Sequence, residues 1–238
     1  MGRSRGVGND LSAPPRGEMR AQILAVSTRL FAAHGRDGTS LQDIAEVVGV
    51  KKPSLLHHFA SKDALYQAVL DELLARWKDT LPQLLLAAGS GEKRFDDVWG
   101  SALSFFADDP SRARLLMREA LDRPDEMRAL LREHVRPWMP LVAKYLERGK
   151  LEGVLHPELD VDAYVIEMVH LVLGGIAVAD VLAAMMPDGV SKTKAMKRQL
   201  AEMSRIARAS LFVSSNSMPN ESANEHVFLM KLPSFQDI

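Results

Sequence analysis

From residue 18 to residue 213 the apolar side chains recur at helical spacing, and no stretch alternates with the period of two that a half-buried strand requires. A chain patterned this way can bury its apolar faces only by packing helix on helix, so the fold class is all-α. Breaks rich in Gly, Pro and Ser fall at residues 35–38, 49, 59–61, 89–91, 109–110, 123–124, 149–157 and 187–189. About nine helices fit between them. The 238 residues suffice for one small and one ordinary domain. The expected division is a disordered leader over 1–17, a small head over 18–70, a larger helical domain over 71–213 and a flexible tail over 214–238. Within that tail, residues 227–232 are apolar enough to dock elsewhere.

Cysteine is absent, which excludes disulfides, thiolate nucleophiles and Cys-ligated zinc. The leader has no apolar stretch of secretory type, so the expected location is the cytoplasm. Residues 161–186 are the one candidate for a membrane span, but Glu167, His170 and Asp180 interrupt them. An all-round apolar, buried helix is the expectation there. The net charge of −1 conceals an asymmetry. Residues 1–70 hold nine Lys/Arg against six Asp/Glu, or +3, which leaves −4 for the remainder. A basic head on an acidic body suits contact with a polyanion through one end.

Within the head, the first helix is expected over 18–34, with Ile23, Leu24, Ser27, Leu30 and Phe31 on one face and Gly35 as its left-handed stop. Ser40 can cap a second helix, Asp43 stands three residues later as a capping box requires, and Leu41, Ile44, Ala45 and Val48 form the buried face. Gly49 supplies a positive φ for the turn. Pro53 is tolerated only in a first turn, which makes Lys52 the expected cap of a short third helix anchored by Leu55 and Phe59. Ser61 caps a fourth helix with Leu65, Val69, Leu70, Leu73 and Trp77 in its apolar stripe. Two helices joined by a short Gly-started turn have helix-turn-helix spacing.

The run TSLQDIAEVVGVKKPSLLHHFASKDALYQAVL, residues 39–70, resembles the TetR family of bacterial repressors. The matching motifs are T-S-x-x-D-I-A, G-V-x-K, L-x-H-H-F and S-K-D-A-L, and the first helix belongs to the same match. The resemblance implies that the third helix enters the major groove. It would place Lys51, Lys52, Ser54 and His57 near base edges or phosphates, and His58, Lys62 and either Ser40 or Leu41 on the backbone. Ammonium groups neutralise phosphate, while hydroxyl and imidazole groups hydrogen-bond to it. The family usually carries Tyr where this chain has Leu56, and Gly where it has Pro53. Leu56 cannot bond a phosphate, which leaves it either contact with a thymine methyl or plain packing. Arg3, Arg5 and Arg16 are open to two roles, a minor-groove arm or part of the leader. His57 and His58 are poor joint metal ligands, since adjacent helical positions point about 100° apart.

For the larger domain the resemblance implies a small-molecule cavity and a dimer. Aromatic and methionine side chains suit an apolar or amphipathic ligand, and Trp99, Phe106, Met117, Leu121, Trp138, Met139 and His170 are the candidate lining. Small residues such as Gly174, Gly175, Ala177 and Ala183 in 160–186, with an amphipathic helix over 192–213, imply a homodimer through those two helices. Two heads would then meet the half-sites of a palindromic DNA operator.

The rival reading is a helical metal-dependent enzyme using Glu167 and His170. That Glu-x-x-His spacing occurs once, where di-iron bundles carry it twice with further glutamates. G-x-G-x-x-G, H-E-x-x-H and G-x-S-x-G are absent, and the run from Gly89 to Lys93 lacks P-loop spacing. The expectation is a ligand-responsive repressor, not an enzyme, without cofactor or metal. A helical adaptor that ignores DNA is the third possibility, and a salt-dependent shift with genomic DNA separates it.

Overall fold

In the computed structural model, residues 16–86 and 91–213 are described, with the backbone alone for Arg16, residues 77–79 and Leu86. Arg3, Arg5, the side chains of Arg16 and Trp77, and residues 227–232 lie outside the described residues. Among the described residues there are eleven α-helices, two short 3-10 turns and one isolated antiparallel bridge, Leu155 to Phe212. The chain divides into two compact units, 1–69 and 70–238, at a point inside the fourth helix.

The first unit contains α1 (Arg16–His34), α2 (Leu41–Val48), α3 (Lys52–His58) and the start of α4 (Lys62–Leu86). Ile23, Phe31, Ile44, Ala45, Leu55, Leu65 and Val69 are buried in its core, and Phe31 meets Tyr66 edge to face at 4.9 Å. Each large apolar side chain buried this way contributes about 1.5–3 kcal/mol. Gly35 and Gly49 both adopt left-handed backbone, with φ of 74° and 82°. At Gly49 that conformation lets its N–H reach the carbonyls of Ala45 and Glu46, so α2 ends and the chain turns at once into α3.

The second unit comprises the rest of α4, α5 (Gly91–Ala107), α6 (Pro110–Asp122), α7 (Pro124–His134), α8 (Met139–Leu151), α9 (Val161–Ala177), α10 (Ala179–Leu182) and α11 (Lys192–Ala209). Helices α6 and α9 pair extensively. Leu146, Leu155, Val161 and Leu211 form a separate cluster where α8, α9 and the end of α11 converge. The Tyr164 hydroxyl donates to the Ala207 carbonyl at 2.8 Å, tying α9 to α11, and burial pushes its phenol pKa up.

Residues 161–186 depart from expectation in two ways. They do not form one helix: α9 ends at Val178, and the axis bends by 68° into the stretch that follows. Arg114 of α6 holds that end, its Nε donating to the Ala177 carbonyl at 2.9 Å and its Nη2 lying 3.0 Å from Asp180 Oδ1. The span is also not buried all round. Val172 and Ile176 face the interior, while Ile166, Val169, Val181 and Met185 are exposed. Among the described residues no single helix is long and apolar enough to cross a membrane.

Candidate nucleic-acid interface

The backbone of α2 and α3 is set by caps that the local sequence supplies. Asp43 N–H donates to Ser40 Oγ at 3.1 Å, and Ser40 N–H donates to Asp43 Oδ2 at 2.9 Å, a complete capping box. The Ser40 N–H and then its hydroxyl hold the Asp43 carboxyl below the usual carboxylate range. At α3 the cap is Lys51 and not Lys52. The Lys51 carbonyl accepts from Ser54 and Leu55 N–H at 2.9 and 3.2 Å, and Pro53 sits in the first turn, where it needs no N–H partner.

With Leu55 and Phe59 buried, the remaining residues of α3 turn outward. Lys51, Lys52, Pro53, Ser54, Leu56 and His57 are exposed, and His58 is half-buried. Ser40 is exposed and Leu41 half-buried at the start of α2. The structure therefore brings Lys51, Lys52, Ser54, Leu56 and His57 together on one short helix, an arrangement of cations and hydrogen-bonding groups suited to a polyanion. The His57 and His58 rings are 6.0 Å apart, and no group of three metal-ligating side chains occurs among the described residues.

Lys62 is placed differently from a free backbone-contacting lysine. Its Nζ donates to the carbonyls of Arg36 at 3.0 Å and Thr39 at 3.3 Å, leaving one of its three donors for other partners. Thr39 is buried and its hydroxyl lies 2.8 Å from the Gly35 carbonyl, while the Arg36 guanidinium pairs with Asp63. That contact raises the Arg36 pKa. Together these groups fasten the α1–α2 turn to the start of α4. The S-K-D motif carried this arrangement, but nothing local announces that the lysine reaches back 26 residues. Arg20, which sequence reasoning passed over, is exposed with its guanidinium 5.3 Å from the Phe59 ring centre and adds a cation to this unit.

In the second unit the seven proposed ligand residues differ in burial. Trp99 is buried in α5, its indole N–H donating to Ser204 Oγ at 3.0 Å, and Phe106 is buried edge-on to Phe105. Met117, Trp138 and Met139 are half-buried, and the Trp138 indole N–H donates to the His134 carbonyl. Leu121, 76% exposed, and His170, also exposed, lie on the surface. The reason for Leu121 is helical phase: it stands two positions, about 200° of rotation, beyond the buried Glu119. His170 shares the outward face of α9 with Ile166, Glu167 and Val169. Sequence reasoning missed Glu119 itself, a carboxylate 1% exposed that pairs with Arg123 at 3.1 Å, although its i,i+4 spacing to an arginine was visible.

Two grooves of about 510 and 780 Å³ run along α9 and α11, and none of the seven residues lines either. At the α9–α11 crossing a Cβ on Gly175 would stand 3.1 Å from Met203 Sδ, and Gln199 donates to the Gly175 carbonyl at 2.8 Å. A Cβ on the neighbouring Gly174 would meet nothing within 4 Å.

Comparison with known proteins agrees with this architecture. Residues 23–69 match the model of bacterial regulatory proteins of the tetR family, and residues 115–190 match that of the tetracyclin repressor-like C-terminal domain. The HTH-type transcriptional repressor KstR2 of Mycobacterium tuberculosis is 26% identical over 148 residues, covering 60% of this chain and 72% of that protein. The HTH-type transcriptional regulator RutR of Escherichia coli is 33% identical over 138 residues, covering 56% and 64%. Among solved structures, the ketosteroid transcriptional regulator KstR2 of M. tuberculosis superposes with a TM-score of 0.60 at 20% identity, covering 85% of this chain and 97% of that one. A transcriptional regulator from Saccharomonospora viridis in complex with choline does so with a TM-score of 0.60 at 19% identity, covering 83% and 100%. With the helix-turn-helix in place, both family models matched in order and the fold shared, the chain belongs to the TetR family of bacterial regulatory proteins and is a DNA-binding transcriptional regulator, not an enzyme.

Proposed function

We propose that the chain is a homodimeric repressor that leaves a palindromic operator when an apolar or amphipathic small molecule binds residues 71–213. The observation that carries the DNA half is the outward row on α3, where Lys51, Lys52, Ser54, Leu56 and His57 are exposed while Leu55 and Phe59 anchor the helix. Ser40, Leu41, His58 and Lys62 complete the contact set on the backbone. The dimer half rests on the apolar residues left exposed on α9, α10 and α11 and in the 3-10 turn after α10, among them Ile166, Val169, Val181, Met185 and Ile206. An apolar effector is supported by the likeness to a regulator named for ketosteroids. Ligand acts by differential affinity for two arrangements of the dimer, one of which fits the operator spacing. The helix α4, which contributes residues to both units, carries the difference. Such a protein works in the cytoplasm.

The test is operator binding by the Lys52→Ala, His57→Ala double variant, on duplexes selected from a random pool by the unaltered chain. Loss of one phosphate charge and one base-edge hydrogen bond is expected to weaken specific binding about 100-fold at physiological salt. An unchanged specific affinity overturns the assignment of α3.

A further inference from the structure

The recognition helix has an unusual set of outward side chains. Residues 51–60 contain no Arg, Asn or Gln, so Lys51 and Lys52 are the only side chains there of the kinds that read guanine or adenine edges with paired hydrogen bonds. What α3 offers toward bases is Ser54, His57 and the lysines, together with Pro53 and Leu56. Pro53 and Leu56 are three positions apart and so share a face of the helix, and His57 lies beside them, four positions from Pro53. The two adjacent leucines are treated in opposite ways: Leu55 is fully buried, whereas Leu56 is 37% exposed. Leu56 is therefore not a core residue, and more than a third of it stays open to a partner. The rest of the unit keeps its large apolar side chains covered, Val47 on α2 being the other exception among the described residues. An apolar branch on a helix otherwise suited to DNA has one apolar feature to meet in the major groove, the C5 methyl of thymine. The flanking Lys51 and Lys52 favour the same occupant, because they bring the helix against a phosphate backbone.

We infer that Leu56 is a specificity-determining residue that reads a thymine methyl in each half-site. The inference rests on the reading of α3 as the recognition helix and adds the base feature it reads. Thymine at that position is selected by burial of its methyl against the Leu56 side chain. Ser54 and His57 read the neighbouring edges by hydrogen bonds. A sequence-specific protein built this way discriminates thymine from cytosine by an apolar contact.

The test begins with the full chain and a random duplex pool, from which the bound half-site is defined. Each dT of that half-site is then replaced by dU, which removes only the C5 methyl and keeps the pairing and the O4 acceptor. With the unaltered chain, uracil at one position is expected to weaken binding about fourfold per half-site, the value of one buried methyl. Leu56→Ala is expected to bind thymine and uracil at that position equally, and Leu56→Met to keep the preference. If no thymine responds in the unaltered chain, or if Leu56→Ala keeps the same preference, the inference is overturned. An enriched sequence with no uracil effect overturns this inference alone, whereas a pool that yields no enriched sequence overturns the assignment of α3 as well. The first arm needs no variant, so a folding defect in Leu56→Ala does not remove the test.

Discussion

In the unit 1–69 the helices close over Ile23, Phe31, Ile44, Leu55 and Leu65, and Val47 and Leu56 are the large apolar residues left exposed among those described. In the unit 70–238 the same kinds of side chain stay uncovered along α9, α10, the 3-10 turn after it and α11, with Met185 at 82% exposure and Val181 at 67%. The difference separates two kinds of contact. A small domain with a finished core presents cations and hydroxyls, and its binding to a polyanion weakens steeply as salt rises. A domain with an uncovered apolar face gains by covering it, and that association is only weakly sensitive to salt. The open space beside Gly174 lies on the same helix as the uncovered Ile166 and Val169, whereas Gly175 is already closed against Met203.

The largest expected effect breaks the second unit's side of this contrast. Ile166→Asp with Val169→Asp places two charges on α9 where a second copy would sit, four in the symmetric pair. Burying an unpaired charge costs several kcal/mol, so the dimer dissociation constant is expected to rise by about 1,000-fold or more while helicity is unchanged. Sedimentation equilibrium reads it, and a variant that remains fully dimeric removes this face from the interface. Next in size is the core of the first unit. Leu55→Ala is expected to lower its stability by about 3 kcal/mol in denaturant unfolding and to abolish operator binding. Self-association of the same variant should be unchanged at both low and high salt. A parallel loss of dimer would show that the two units are not separable in this way.

The first unit was the more legible in sequence because its signals are local. Ser40 and Asp43 are three residues apart, Gly49 and Pro53 bracket one turn, and Ser61 accepts from the Ala64 N–H at 3.0 Å. In the second unit the decisive contacts are distant. The end of α9 is fixed by Arg114, 63 residues earlier, so an apolar run that reads as one helix becomes two. The ligand candidates were chosen by side-chain type, and type does not give helical phase: Trp99 and Phe106 turned inward, Leu121 and His170 outward. Even in the first unit, Lys62 was read from the motif as a backbone contact, and its grip on the Arg36 and Thr39 carbonyls depends on where α1 ends.

The smallest expected effect sharpens the account of the first unit through its capping box. Ser40→Ala removes the side-chain cap of α2 and is expected to cost about 1 kcal/mol at neutral pH. Asp43 contributes separately through its charge. Its carboxyl is held below the usual range by the Ser40 N–H and hydroxyl, so the folded chain binds that proton less readily than the unfolded chain. The contribution is therefore present above about pH 4, the ordinary aspartate value, and fades as the pH falls through the lower folded-state value. Asp43→Asn, which keeps an acceptor and removes the titration, should be less stable than the unaltered chain at pH 7 and should approach it in acid. Paired denaturant melts from pH 7 to pH 2.5 read the gap. A gap that stays constant over that range would leave the box as a neutral hydrogen-bonded cap, and a gap that widens in acid would reverse the sign of the Asp43 contribution.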